Sequence, residues 1–303
     1  MPIGYGRQNG AMTAPIADID IDQELVAGLL RAQHPDLADR PLRLVANGWD
    51  NAIFRLGDDL CVRLPRRQVA VTLLVNEQRW LPTLASHLPV AVPVPVRIGV
   101  PGQSYPWPWS ICAWVDGEIA SMVPVVERRA VAGELAEFMN RLHVPAPADA
   151  PANAVRGVPL AHRDEQIQDR LTSGKLARED ELRRLWDELR TTPGWNGPPV
   201  WLHGDPHPAN LVLRGNPATL AAVLDFGDLT AGDPATDLAA AWLVFDAAGR
   251  AVFRAGIDAD EATWRRARAW ALAIGTAIAV FADIHPGLAD AGEHAINQVL
   301  SAD

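Results

Sequence analysis

The chain has 303 residues, 49% of them hydrophobic and 21% charged, a globular composition long enough for about two packing units. Its formal net charge of −10 argues against a nucleic-acid binder, which would present a basic face. Of the 27 basic residues only Lys175 is a lysine, and Leu176 follows it, so a Gly-x-x-x-x-Gly-Lys-Ser/Thr nucleotide loop is excluded.

Residues 1–17 read as a flexible leader with no signal-peptide pattern, and Met12 is a second candidate start. The spacing of Leu25, Leu29 and Leu30 after Asp20, Asp22 and Glu24 predicts a helix over 20–33. Short strand-like runs follow at 42–45, 52–56 and 60–64, separated by Asn47-Gly48-Trp49-Asp50-Asn51 and by Gly57-Asp58-Asp59. A helix containing Glu77 is predicted over 69–87, then strands over 97–100 and 109–115. Asp116-Gly117 reads as a boundary.

Beyond it the pattern turns helical. Val131, Leu135, Phe138 and Leu142 form one helical stripe. Residues 145–159 read as a Pro- and Ala-rich loop, and 176–190 as a charged helix. Short strands are expected at 200–202, 211–213 and 221–224, and apolar helices at 237–247 and 261–282. The longest uncharged stretch there, 269–282, is 14 residues, short of the about 20 that a membrane span needs. Cys61 and Cys112 are the only cysteines and read as small core residues on strands. No disulfide framework is expected, and a reducing, cytoplasmic setting is the simplest.

The informative segment is Trp201-Leu202-His203-Gly204-Asp205-Pro206-His207-Pro208-Ala209-Asn210, with Asp225-Phe226-Gly227-Asp228 fifteen residues further on at the end of an apolar strand. Phosphoryl transfer needs such a set: a carboxylate to orient the attacking hydroxyl, and an amide oxygen plus a second carboxylate to hold Mg²⁺. A different reading takes His203, Asp205 and His207 as ligands of a zinc hydrolase, with His285 or His294 recruited. It leaves Asn210 and Asp225-Phe226-Gly227 unexplained.

His203-x-Asp205-x-x-x-x-Asn210 followed by Asp225-Phe226-Gly227 resembles the catalytic loop and metal motif of protein-kinase-like enzymes. The form His-Gly-Asp-x-His-x-x-Asn, with Gly232-Asp233-Pro234-Ala235-Thr236-Asp237 downstream, is closer to the aminoglycoside phosphotransferase family, over roughly residues 40–250. The resemblance implies an α+β, two-lobe protein-kinase-like fold. A small antiparallel β-rich N-lobe with one long helix (18–115) would bind nucleotide, and a larger, mostly helical C-lobe (116–303) would carry catalysis and the acceptor, with a crevice between them. It implies Asp205 as catalytic base, and Asn210 and Asp225 as Mg²⁺ ligands. It makes His203 and Asp237 structural supports of the catalytic loop. For nucleotide binding it implies Gly48 and Asn51 in a phosphate-covering loop, and the backbone of Ala113 and Val115 at a hinge. Arg63, paired with Glu77, would stand where kinases have a lysine, with Arg66 and Arg67 as rivals. Trp49, Trp107, Trp109 and Trp114 read either as packing or as stacking surfaces for a base or sugar.

The implied activity moves the γ-phosphoryl of ATP or GTP to a small-molecule hydroxyl. Gly232-Asp233-Pro234 follows Asp225 too closely for a protein-kinase activation loop. The acceptor is expected to be an aminoglycoside-type or other antibiotic, or alternatively a metabolic alcohol of homoserine, choline or sugar type. Asp228, Asp246 and Asp283 are candidates for binding a cationic acceptor. Asp228 stands three residues after Asp225, where enzymes acting on the aminoglycoside 3′-hydroxyl often carry arginine. A non-catalytic kinase-like binding module is the remaining reading.

Overall fold

The computed structural model describes residues 16–102, 105–281 and 288–301. The readings that fall on residues 1–15, Asp283 and His285 lie outside them. The described residues form two compact units. One runs up to Ser86 and resumes at Ala91–Val115. The other takes His87–Val90 and the chain from Asp116 onward.

The first unit is a five-stranded antiparallel sheet of order β1-β2-β3-β5-β4, built from β1 (Leu42–Asn47), β2 (Asn51–Leu56), β3 (Leu60–Pro65), β4 (Pro95–Gly99) and β5 (Trp109–Ala113). Helix α1 (Gln23–Gln33) starts later than its acidic lead suggests, because Asp22 caps it: its carboxylate accepts the Leu25 N–H at 2.8 Å. Val26, Leu29 and Leu30 of α1 pack on Ala52, Phe54, Leu56, Val62, Leu64, Trp109 and Ile111. Trp107 and Trp109 belong to this core, which settles them as packing residues. β3 is buried on both faces. Val62 and Leu64 point into the apolar core, while Cys61 and Arg63 point to the opposite side. That side faces α2 (Gln68–Leu84), so Glu77 on α2 is buried as well. Cys112 pairs with Cys61 across β3 and β5, both are free thiols, and burial pushes Cys112 up to about 12.

The second unit is mainly helical, with two small antiparallel sheets. β6 (Glu118–Ile119), β8 (Leu211–Arg214) and β9 (Thr219–Val223) form one, and β7 (Val200–Leu202) with β10 (Thr230–Gly232) forms the other. The helices are α3 (Val125–Arg128), α4 (Ala132–Leu142), α5 (Asp164–Leu171), α6 (Glu179–Leu189), α7 (Ala235–Leu238), α8 (Ala240–Leu243), α9 (Ala247–Ala255), α10 (Glu261–Val280) and α11 (Ala289–Leu300). The stripe of Val131, Leu135, Phe138 and Leu142 is fully buried, as its spacing requires. Apolar α10 is the central helix and packs on α5, α6, α7, α8 and α11.

One expected helix is corrected. The apolar run 237–247 is not continuous: Asp237 lies inside α7, α8 follows, and Asp246 caps α9 by accepting the Gly249 N–H at 3.1 Å. Periodicity could not reveal the breaks, because nearly every residue of this segment is buried on all sides. Sequence reading also passed over α5 and α11. No helix among the described residues is long and apolar enough to cross a membrane.

A half-buried histidine gives the second unit a sensitivity to acid. His294 on α11 meets the Phe245 carbonyl at 3.2 Å, and burial, with help from the Arg128 charge, pulls its pKa down to about 4. The unfolded chain takes up this proton near the ordinary histidine value of 6.5, so stability is lost as pH falls from 6.5 towards 4. The full effect is about 3 kcal/mol. His294→Gln, which keeps an N–H donor and cannot titrate, should flatten the fall of the denaturation midpoint across that window.

Candidate functional site

The two ladders of the helical unit gather the motif residues. In the β8–β9 hairpin Leu211 pairs with Val223, so Asn210 and Asp225, fifteen residues apart in sequence, emerge from the same end of adjacent strands. The Leu224 N–H donates to the Asn210 carbonyl at 2.7 Å and extends the ladder past the strand ends. In the β7–β10 ladder Leu202 pairs with Thr230, which sets the loop 203–210 beside the loop 225–229.

The first loop hangs from one carboxylate. Asp237, fully buried, accepts the His203 N–H on Oδ2 and the Gly204 N–H on Oδ1, both at 2.8 Å, and His143 Nε2 stands 3.1 Å from Oδ2. His203 is buried under Phe226 with a ring separation of 4.6 Å, and its Nε2–H donates to the Leu224 carbonyl at 2.8 Å. Its Nδ1 accepts the Asp205 N–H at 3.2 Å. Gly204 has φ +89°, and a Cβ there would meet the Asp228 carbonyl oxygen at 2.6 Å, so only glycine lets the two loops close on each other. Asp225 also sits in the left-handed region, at φ +59°, a conformation that asparagine and aspartate tolerate better than other side chains.

Three side chains converge. Asn210 Nδ2 donates to the Asp205 carbonyl at 2.9 Å, which leaves the Asn210 Oδ1 without a hydrogen bond to the described residues. Asp225 uses Oδ1 for a 3.3 Å bond from the Gly227 N–H, and its Oδ2 is equally unengaged among the described residues. His207 Nε2 lies 3.4 Å from Asp205 Oδ2, and the carboxylates of both Asp205 and Asp225 raise the His207 pKa against the burial that would lower it. Two hard oxygens left open on adjoining loops fit a Mg²⁺ ion, which keeps waters and substrate phosphates as its other ligands. Among the described residues no group of three His, Cys, Asp or Glu side chains could hold a metal by itself. The zinc-hydrolase reading is therefore corrected: both His203 ring nitrogens are engaged with backbone, and His207 Nδ1 accepts the Ala209 N–H at 3.2 Å.

The structure adds a residue that the sequence reading missed. Arg156, in the Pro- and Ala-rich loop, donates from Nη2 to Asp205 Oδ1 and from Nε to Asp228 Oδ2, both at 3.0 Å. Burial would raise the Asp205 pKa, but the Arg156 and His207 charges outweigh it and hold the carboxyl well below the usual range. Asp228 is thus already engaged, with Asn153 Nδ2 on its other oxygen at 2.8 Å. Asp246 is engaged too. It meets Arg129 Nε with both oxygens at 2.9 Å while capping α9, so neither acid stands open as an acceptor site. No local sequence signal distinguishes Arg156 from the other 25 arginines; only the docking of its loop does.

In the β-rich unit Arg63 and Glu77 form a buried bidentate pair, Nη1 to Oε2 at 2.7 Å and Nη2 to Oε1 at 3.1 Å. The loop 47–51 is a tight turn, closed by the Gly48 N–H on the Asn51 carbonyl at 2.9 Å. Arg66 Nη1 donates to the Gly48 carbonyl at 2.8 Å and Arg67 pairs with Asp50, so both rivals of Arg63 serve to hold this turn. The Asn51 Oδ1 is buried with no hydrogen-bond partner among the described residues. The Val115 N–H makes no hydrogen bond to the described residues, while Ala113 ends β5 opposite Leu60. Trp114 lies under the Arg55 guanidinium, 4.2 Å from the ring centroid.

Solved structures share this fold. A GDP complex of wild-type aminoglycoside 2′-phosphotransferase-IIIa is 20% identical with a TM-score of 0.68, covering 92% of this chain and 99% of that one. The apoenzyme of macrolide 2′-phosphotransferase MphH from Brachybacterium faecium is 23% identical with a TM-score of 0.59, over 92% of this chain and 99% of that one. A streptomycin–ATP ternary complex of APH(2″)-IIa is 19% identical with a TM-score of 0.59, over 86% of this chain and 89% of that one. No curated protein is a significant sequence match. The model of the phosphotransferase enzyme family, APH, matches residues 41–270, a span holding every motif residue described above, and the chain belongs to that family.

Proposed function

We propose that this phosphotransferase moves the γ-phosphoryl group of ATP or GTP to a hydroxyl of a small molecule, with an antibiotic as the acceptor class. The observation that carries the reading is the meeting of Asp205, Asn210 and Asp225 on two adjoining loops, the first of them held by Asp237, in a chain of this family. The similar solved phosphotransferases include complexes with GDP, ATP or ADP, with kanamycin, streptomycin and gentamicin among their ligands and a macrolide enzyme beside them.

In the reaction the acceptor oxygen bonds to the γ-phosphorus as the bond to the β-phosphate bridging oxygen breaks, and nucleoside diphosphate leaves. Asp205 aligns the hydroxyl and takes up the proton late. Its hydrogen bond from Arg156 keeps it a carboxylate, so it is a weak base suited to orientation more than to early proton removal. Asn210 and Asp225 would hold Mg²⁺, which when bound neutralises charge on the phosphates. His203 and Asp237 keep the loop in shape. Arg63, fixed by Glu77, is assigned to the nucleotide phosphates, which a guanidinium binds in a forked geometry. The turn with Gly48 and Asn51 and the backbone of Ala113 and Val115 are assigned to the rest of the nucleotide.

A second reading, a metabolic alcohol as acceptor, is favoured by one observation: Asp228 and Asp246, the described acids first considered for ammonium groups, are both engaged internally.

Two outcomes test the assignment. Nucleoside diphosphate release is measured with ATP and with GTP against a panel of antibiotics and metabolites. On any acceptor that turns over, Asp205→Asn should lower kcat by about 10²–10⁴-fold with the fold intact; near-normal turnover would sink the role given to Asp205. Glu77→Gln leaves Arg63 buried against a neutral amide. It should destabilise by about 3 kcal/mol or more in chemical denaturation, and raise the nucleotide KM while leaving the acceptor KM unchanged.

A further inference from the structure

The segment carrying Arg156 is docked, not free. The Pro151 carbonyl accepts the Thr230 hydroxyl at 2.9 Å, the Gly157 N–H donates to the Thr236 hydroxyl at 3.2 Å, and the Gly157 carbonyl accepts the Asp233 N–H at 3.2 Å. Gly157 has φ +68°, and a Cβ there would stand 3.2 Å from the Gly232 Cα, so this loop crosses β10 with no side chain between. Asp233 in turn is clamped by Arg266 of α10, at 2.7 Å from Nε. Within the loop, the Asn153 Oδ1 accepts the Val155 N–H at 2.8 Å while its Nδ2 holds Asp228. Every part of the segment that presents Arg156 is thereby tied to the strand and helix that follow the Asp225 motif.

The chemistry of the cluster is that of a guanidinium shared by two carboxylates. Arg156 is largely buried, with 16% of its side chain exposed, and Asp205 and Asp228 are each 26% exposed, so this is not a solvated surface pair. Two acids beside a reacting hydroxyl would otherwise attract an ammonium group of the acceptor. Here the protein supplies that cation itself.

Resting on the phosphotransferase reading above, we propose that Arg156 is a specificity-determining residue: an internal cation that fills the place of an acceptor ammonium between Asp205 and Asp228. It selects acceptors whose reacting hydroxyl is not flanked by a positive charge. The same contact makes it a positioning residue, since it anchors Asp205 Oδ1 while His207 Nε2 stands 3.4 Å from Oδ2. An acceptor with a cation next to the reacting hydroxyl would have to displace Arg156 or lie against it, and like charges at that distance repel.

The test compares the wild-type chain with Arg156→Ala and with Arg156→Ala/Asp228→Asn. Arg156→Gln, which keeps a donor and loses the charge, stands in if the alanine variant does not fold. The first readout needs no turnover: the thermal midpoint in methylguanidinium chloride against sodium chloride at equal ionic strength. Methylguanidinium should raise the midpoint of the single variant relative to wild type and to the double variant. An identical response in all three overturns the proposal. The second readout is kcat/KM on neutral, monoamine and polyamine alcohols. The polyamine-to-neutral ratio should rise about tenfold or more in the single variant, worth about 1.4 kcal/mol, and fall back in the double variant. Free guanidinium should restore part of the lost kcat on neutral acceptors. A uniform loss on every acceptor without such rescue assigns Arg156 a structural role only and overturns the inference. If the wild type releases no diphosphate with any acceptor, the phosphotransferase reading fails, and the melting comparison still decides whether the cluster is a cation site.

Discussion

Two consecutive backbone N–H groups, of His203 and Gly204, point at one carboxylate, and the shape of the candidate site follows from that arrangement. Asp237 is fully buried, and these two donors, with His143 beside them, satisfy its oxygens in the interior. The loop cannot shift without leaving a buried charge unpartnered, at a cost of several kcal/mol. Asp205, one residue on, inherits that rigidity. A site that must present a carboxylate in a fixed direction gains from a backbone held this firmly.

Strand pairing supplies the second constraint. The hairpin of β8 and β9 returns the chain to its starting edge, so Asn210 and Asp225 leave it side by side. The ladder of β7 and β10 lays the two loops against each other, and Gly204 removes the side chain that would keep them apart. Oxygens from residues far apart in sequence become neighbours through four short strands. The same logic places Arg63: β3 is buried on both faces, so its odd-numbered side chains meet α2, and a guanidinium there requires a buried acid, Glu77.

Charge is managed by arginine throughout, as a chain with one lysine must. Buried guanidinium pairs recur at Arg63–Glu77 and Arg266–Asp233, and a largely buried one joins Arg156 to Asp205 and Asp228. The planar fork satisfies two oxygens at once, which suits these positions better than an ammonium would. Around Asp205 this has a chemical consequence. The carboxylate stays ionised through its partners, and the neighbouring acids are occupied before any acceptor arrives.

Much of this was readable in the primary structure, and for identifiable reasons. Strands announced themselves through alternation and turn residues in 42–64, and the buried stripe of α4 through its 3.6-residue period. The motif residues stood out because Asp205, Asn210 and Asp225 combine residue types and spacings that a turn or cap does not need. Where every residue is buried, as around α7 and α8, pattern carries no information on helix breaks. Local sequence determined which elements form and which side chains are chemically suited to phosphoryl transfer, since both depend on neighbours along the chain. Only the tertiary structure decided that Asp228 and Asp246 are engaged, that Glu77 is buried, and that Arg156 reaches Asp205. Those outcomes depend on which distant loop docks where, and a charged side chain's role is set by the partner that packing brings to it.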